Sequence, residues 1–398
     1  MKIGINASFL RKQNTGIGQV TINFIKKLME FSISNNQFSS KENQFILYLE
    51  EDVEMELPGN FRKEIFLPKR YRRDDLIRKI WWETFLLPRK VRKDGCDVFI
   101  SLYQCPTFFC KKSVKKHLMV VHDIIPKIMP EYLDNWRKKV YWKMTERAMK
   151  KAGKIIAVSK KTEKDLIHHL VIDAKKITVA YIDVDEIYKK EVSDNENRTV
   201  LEKYGLEKGY VYCGGGLEIR KNVEGAIRAY KILQDQSKDR FAKLADVPPL
   251  VISGKLMPEL APLVIDAEAV VKSMGLEKEV RLLGFVPQED LLALYANAAV
   301  FVYPSFYEGF GLPVLEAMSQ GTPVLTSKKS SLPEVGGDAV LYCEPSDVEE
   351  IARVLRKILL DENLRRTLAE RGKKRSGNFS WDKFVEKMMN IVSDTKLV

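Results

Sequence analysis

The sequence predicts an α/β protein made of two Rossmann-like, doubly wound domains with a cleft between them. Three observations carry that prediction. Short apolar runs alternate with helical patterns twice over, as parallel sheets with covering helices require. A glycine-containing turn follows the opening strand of each half, where a doubly wound sheet opens its binding crevice. The chain, at 398 residues, is longer than one ordinary core fills.

The first strand is read at Ile3–Asn6, followed by the turn Asn14-Thr-Gly16-Ile-Gly18 and a helical stretch over Val20–Glu30. Gln44–Leu49, Asp97–Leu102, Leu118–Val121 and Lys154–Val158 read as further strands, with a helical pattern over Tyr132–Ala152. The charged stretch Lys189–Lys203 reads as the inter-domain connection. Alternation restarts with strands at Tyr210–Cys213, Pro249–Ser253, Val280–Leu283, Val300–Tyr303 and Pro323–Thr326. Helices are expected at Val223–Gln234 and Pro313–Gln320. Ser346 and Glu349 stand at capping-box spacing before a helix ending near Leu360, and Trp381–Val392 reads as a last amphipathic helix. Lys69–Lys93 mixes basic residues with Tyr71, Trp81, Trp82 and Phe85. It reads first as an amphipathic helix with its Trp face inward, stopped by Pro88, and second as a membrane-surface patch, the two being compatible because one charged face serves both.

Composition narrows the function. The net charge is +12, and residues 1–180 hold 36 basic against 20 acidic side chains while the remainder holds 30 against 34. The basic excess of the N-terminal half suits a polyanionic partner, such as an anionic membrane surface. Neither a secretory leader pattern nor an apolar run of bilayer length is present, which predicts a cytoplasmic protein able to sit on the inner face of the cell membrane. Cys96, Cys105, Cys110, Cys213 and Cys343 are odd in number and irregularly spaced. Buried free thiols, rather than disulfides or a zinc site, are expected.

The chemistry concentrates in Tyr303-Pro-Ser-Phe-Tyr-Glu308-Gly309-Phe310-Gly311-Leu312-Pro-Val-Leu-Glu316. Gly309 and Gly311 let backbone approach a ligand, and Pro313 fits the first helical positions. Backbone N–H groups at that helix start would hold a diphosphate, while Glu308 and Glu316 offer carboxylates to hydroxyls. Hydroxyls beside phosphates describe a nucleotide-sugar. A second cluster, Cys213-Gly-Gly215-Gly-Leu-Glu-Ile-Arg220-Lys221-Asn222, places two cations where phosphates would lie. His122-Asp123 follows a strand at the carboxyl edge of the first sheet, where a structural and an active-site histidine are equally reasonable on pattern.

These stretches resemble the Glu-x7-Glu motif, the Gly-Gly…Arg-Lys-Asn segment and the Val-His-Asp-x-x-Pro segment (here Val121–Pro126) of family 4 of the retaining glycosyltransferases, which have the GT-B fold. The resemblance extends from Met1 to Trp381 and continues through Ser330-Ser-Leu-Pro-Glu-Val. It implies an acceptor-binding domain over 1–188, a nucleotide-sugar-binding domain over 189–378, and a helix over 379–398 crossing back to the first. It also implies that Glu316 binds the ribose hydroxyls, that Glu308 contacts the transferred sugar, and that the backbone of Phe310, Gly311 and Leu312 lines the sugar–phosphate site. Lys221 would hold the phosphates, Gly16 and Gly18 would lie near them, and His122 would approach the reacting face. Many members carry an arginine where this chain has Gly215, so Arg220 is the candidate for the second positive charge. Ser331 and Glu334 are read as a capping box.

The implied reaction needs no metal. The only Asp-x-Asp triplet, Asp183-Val-Asp185, resembles a family corner rather than a cation site, and Lys221 with the helix start would stabilise the leaving diphosphate. Front-face attack, with the leaving phosphate helping to deprotonate the acceptor, is the expected course. The donor expected is GDP-mannose, with a UDP-sugar as the alternative. The acceptor expected is a glycan or lipid-linked glycan of a cell-surface polysaccharide. A nucleotide-sugar epimerase shares the architecture. A dinucleotide enzyme is disfavoured because Thr21 and Ile219 occupy the third-glycine places. A nucleic-acid partner gains nothing from the paired glutamates.

Overall fold

A computed structural model describes residues 1–35, 43–66, 75–109, 114–237, 246–257 and 260–394. The chain divides into two compact units: Met1–Ile182 with Ser380–Val398, and Asp183–Phe379. The sequence reading drew the connection at 188/189.

The first unit holds seven strands, β1 (Lys2–Asn6), β2 (Gln44–Leu49), β3 (Phe61–Ile65), β4 (Val98–Ser101), β5 (Lys116–Val121), β6 (Lys154–Ala157) and β7 (Ile177–Val179). All pair in parallel in the order β3-β2-β1-β4-β5-β6-β7. Strands such as Ile3–Asn6 and Val98–Ser101 are buried on both faces, which is why they read as continuous apolar runs. The helix Trp381–Ser393 packs on the helix Gly16–Ser34, with Phe384 edge-on to Phe24 at 6.0 Å and Trp381 and Met388 buried.

The second unit holds β8 (Tyr210–Cys213), β9 (Leu250–Ser253), β10 (Val280–Gly284), β11 (Ala298–Tyr303), β12 (Val324–Ser327) and β13 (Leu341–Cys343). They too are all parallel, in the order β10-β9-β8-β11-β12-β13. Counted within the unit this is 3-2-1-4-5-6. In both units the strand order reverses beside the first strand, so the binding crevice belongs at the carboxyl ends of β1 and β4, and of β8 and β11.

The structure corrects several local expectations. Lys189–Lys203 is not a mere connection: Asp194–Tyr204 is a helix of the second unit, opened by a full capping box from Ser193 and Glu196 and closed by Gly205 in the left-handed conformation. Its low hydrophobicity hid it, although the Ser-x-x-Glu spacing was there to read. Asp347, not Ser346, caps the helix Val348–Leu360 by accepting from the Glu350 N–H. Pro88 does not stop the helix it stands in. The chain runs from helix Asp75–Trp81 through a π-turn at Trp82–Leu86 into helix Leu87–Lys93. Leu87 N–H donates to the Trp82 carbonyl, so the wider turn accommodates the proline's missing donor. The two tryptophans also divide, since neighbours on a helix point about 100° apart: Trp82 is buried and Trp81 is 38% exposed. Cys96, Cys105, Cys213 and Cys343 are buried free thiols; Cys110, Tyr71 and Lys69 lie outside the described residues.

Candidate active site

In the second unit, β8 ends at Cys213 and runs into Gly214–Gly216, a loop that only glycine can form as it stands. Gly215 and Gly216 have φ of +91° and +108°, and a Cβ on Gly215 would come 3.0 Å from Pro313 Cγ and 3.1 Å from Tyr303 Cε2. An arginine cannot simply be restored at this position. Gly215→Ala is expected to cost about 1–2 kcal/mol of stability from the left-handed backbone alone, measurable by chemical denaturation.

The short turn Ile219–Lys221 follows and ends on Asn222 with φ +55°. Asn222 was quoted within the motif without a role of its own. Its side-chain amide donates to the carbonyls of Pro304 (3.1 Å) and Pro345 (2.6 Å) and its oxygen accepts from Gly225 N–H (3.2 Å). One buried amide thus ties the loop after β8 to the loop after β11. Asparagine tolerates this left-handed φ better than most residues, which is the signal sequence reading could have used.

Lys221 is buried and donates to the Gly215 carbonyl. Burial, and then the neighbouring Arg220 charge, lower its pKa, against the pull of Glu308, Glu218 and Glu316. Its ammonium is therefore poorly satisfied, and an anion arriving in the loop would stabilise it. Arg220 does not stand free to meet a phosphate as expected. Its Nη1 lies 2.7 Å from Glu308 Oε1 and donates to the Tyr307 carbonyl at 3.1 Å, while Nε lies 2.8 Å from Glu218 Oε2. Those carboxylates outweigh its desolvation and hold it firmly protonated.

Glu308 is buried and its Oε1 is crowded. Besides Arg220 it accepts from Tyr303 OH at 2.6 Å and Ser305 Oγ at 3.1 Å. Behind it, Ser330 Oγ donates to the Glu308 carbonyl at 2.5 Å. The Ser331 hydroxyl lies 2.9 Å from that same carbonyl and 2.7 Å from that of Phe310. Ser331 makes no cap hydrogen bond, so the expected capping box with Glu334 is corrected. The two serines fasten the loop that carries Glu308.

Gly311, at φ +110°, turns that loop into the helix Leu312–Ser319, with Pro313 in its first turn. A Cβ on Gly311 would lie 2.7 Å from Leu332 Cδ2. Phe310 is buried edge-on against Phe379 at 5.7 Å. Gly309 lies between, in the same loop. Glu316, one turn into the helix, is part-buried and accepts from Tyr295 OH at 2.9 Å. Desolvation pushes its carboxyl up to about 7, with Tyr295 and Lys221 pulling the other way. Glu316 and Lys221 therefore share one electrostatic neighbourhood at the β8/β11 crevice, and Glu308 joins it through Arg220.

The remaining predicted residues belong to the first unit. His122 follows β5 and is buried; its Nε2 lies 2.9 Å from the Leu102 carbonyl. A carbonyl only accepts, so Nε2 carries the proton and Nδ1 the lone pair. Burial lowers its pKa to about 4, so the ring is a neutral acceptor at physiological pH. Gly16 opens its helix with open space around it, whereas Gly18 is glycine for packing: a Cβ there would fall on the Lys12 carbonyl. The Gly18 N–H is already bonded to the Thr15 hydroxyl at 3.1 Å. Asp183 and Asp185, by contrast, open the second unit: Asp183 is buried in an ion pair with Lys189 at 2.6 Å, and Asp185 caps the turn Glu186–Lys189.

Residues 193–375 match the family described as Glycosyl transferases group 1, and residues 50–186 match Glycosyltransferase Family 4. The chain is 32% identical to the O-antigen chain mannosyltransferase B of Escherichia coli over 98% of its own length and 99% of that protein's. It is 24% identical to the O-antigen chain mannosyltransferase RfbU of Salmonella typhimurium over 89% and 90%. Among solved structures, WaaG, a glycosyltransferase involved in lipopolysaccharide biosynthesis, superposes with a TM-score of 0.72 at 18% identity, covering 99% of this chain and all of that one. Anabaena HepE, solved in complex with UDP and glucose, does so with 0.69 at 17% identity, covering 99% of each. Two parallel sheets of this order, a full-length relative at this identity and both family matches lead to one assignment: the chain belongs to glycosyltransferase family 4 and has the GT-B fold.

Proposed function

We propose that the chain is a retaining mannosyltransferase that moves mannose from GDP-mannose to a glycan or lipid-linked acceptor in cell-surface polysaccharide synthesis, without a metal ion. One observation carries the reading: the Glu316 carboxyl and the Lys221 ammonium stand together at the β8/β11 crevice, beside the start of the helix Leu312–Ser319. Hydroxyls and phosphates are wanted side by side there. The mannose is supported by the two O-antigen mannosyltransferases to which the chain is similar.

The diphosphate draws Lys221 off the Gly215 carbonyl and, with the helix start, stabilises the charge that grows as the glycosidic bond breaks. Glu316 holds the ribose diol. Glu308, fixed by Arg220, Tyr303 and Ser305, faces the sugar. The acceptor hydroxyl attacks from the leaving-group side, and its proton passes to the departing phosphate. No side chain is assigned as nucleophile.

Thermal shift with GDP-mannose, GDP, UDP-glucose and UDP tests the donor, because a ligand of the native state raises its melting temperature. GDP-mannose is expected to give the largest rise and Lys221→Ala to abolish it. A larger rise with UDP-glucose would replace the donor; no rise with any of the four would end the reading.

Contact with an anionic membrane face is part of the proposal. Ile77, Trp81 and Phe85 are 46%, 38% and 40% exposed at four-residue spacing, and basic residues continue through Arg89, Lys90, Arg92 and Lys93. No helix among the described residues is long and apolar enough to cross a membrane. Co-sedimentation with phosphatidylglycerol vesicles is expected at low salt and not with neutral vesicles; equal binding to both would count against it.

A further inference from the structure

The strand order of the first unit reverses at β1 and β4, whose carboxyl ends are where a doubly wound sheet opens a crevice, and a side-chain cluster there is used by nothing described so far. Lys79, on the helix Asp75–Trp81, places its ammonium over three aromatic rings: Phe9 at 5.0 Å, Tyr103 at 5.2 Å and Tyr141 at 5.2 Å. Phe9 and Tyr103 follow β1 and β4, and Tyr141 comes from the helix Trp136–Lys151. Lys79, Phe9 and Tyr141 are all part-exposed. Among the described residues no oxygen accepts a hydrogen bond from the Lys79 ammonium, so its three donors face the rings and solvent.

The rings are not free to turn. Glu83, one turn beyond Lys79 in the π-turn, is fully buried and accepts from the hydroxyls of Tyr103 and of Tyr141, the latter at 2.8 Å. Tyr103 OH, having donated to Glu83, accepts from Asn6 Nδ2 at 3.1 Å and Ser8 Oγ at 2.9 Å. Thr107 Oγ1 donates to the Glu83 carbonyl at 2.7 Å. The π-turn is what lets Glu83 point inward directly after Trp82 while the helix carries on.

We propose that Lys79, Phe9 and Tyr141 form the subsite for the acceptor's terminal sugar ring, with Glu83 as the residue that positions Tyr103 and Tyr141. A sugar fits this cluster: its hydroxyl oxygens can replace solvent at the Lys79 N–H donors, and its C–H face can lie on the fixed aromatic surfaces. An isolated phosphate fits less well, because aromatic faces are negative and a carboxyl group stands one helical turn away. The inference rests on the proposed glycan acceptor.

Two soluble glycosides, mannobiose and N,N′-diacetylchitobiose, serve as probes with the full-length protein. With whichever acts as acceptor, Lys79→Ala and Phe9→Ala are expected to raise acceptor KM at least tenfold while donor Kd stays within twofold. Lys79→Arg, which keeps charge and donors, is expected to recover most of the loss. Unchanged acceptor KM in folded Lys79→Ala, or a parallel rise in acceptor KM and donor Kd, would overturn the subsite. Saturation-transfer NMR without donor separates this from failure of the donor reading: transfer from aromatic protons to a glycoside, lost in Phe9→Ala, supports the subsite even in a protein that binds no GDP-mannose. No transfer to either glycoside in the native protein overturns it.

Discussion

Glu316→Gln is expected to melt higher than the native protein at pH 8 and yet to bind donor about 10- to 100-fold more weakly. The first half follows from the raised pKa. A carboxyl moved from 4.5 up to about 7 contributes its full stability below pH 4.5 and loses it as pH rises through 7. At pH 8 the ionised form therefore burdens the folded state, and glutamine does not. Each pKa unit corresponds to about 1.4 kcal/mol. Screening of a part-exposed group and the lost attraction to Lys221 bring the expected gain down to about 1–2 kcal/mol. That is a rise of roughly 2–6 °C in melting temperature at pH 8, shrinking to nothing near pH 4.5. The second half follows from the proposed ribose contact, since charge-assisted hydrogen bonds contribute about 1.5–3 kcal/mol. Native donor affinity should then weaken about tenfold per pH unit below 7, while the Gln variant stays flat. A pH-independent native Kd would remove Glu316 from the binding site.

Arg220→Ala is expected to lower kcat by about 10²–10³ while changing donor Kd less than tenfold. It strips Glu308 of its 2.7 Å partner in a buried setting, where removing one member of an ion pair costs about 3–5 kcal/mol. The carboxylate then rotates, and what is lost is its aim at the proposed sugar site. Arg220→Lys should recover little, because a lysine cannot span Glu218, Glu308 and the Tyr307 carbonyl as a planar fork does. Single-turnover rates and donor titrations decide it: a loss in Kd larger than in kcat would return Arg220 to the phosphates.

What could be read from residues alone was whatever is local in the chain. The strand–glycine–helix grammar around Glu308 and Glu316 lies within a few turns, and so does the loop bearing Lys221. Pairings across long separations were not legible. Arg220 meeting Glu308, Asn222 bracing Pro304 and Pro345, and Ser331 fastening the loop instead of capping a helix each depend on which strands become neighbours. Lys79 shows the same limit from another side. Its stretch read as a charged face with aromatics, and only the fold reveals that Phe9, Tyr103 and Tyr141 converge on its ammonium. Pro88 misled because a proline ends an ordinary helix, whereas a π-turn just ahead of it spares the missing donor.

Because Ser380–Val398 belongs with Met1–Ile182, the two units face different problems during synthesis. Asp183–Phe379 is contiguous and can close as soon as it clears the ribosome. The earlier-made unit must wait with Phe24 uncovered until Phe384 emerges, so a chain cut after Phe379 should leave the amino-terminal part the more protease-sensitive of the two.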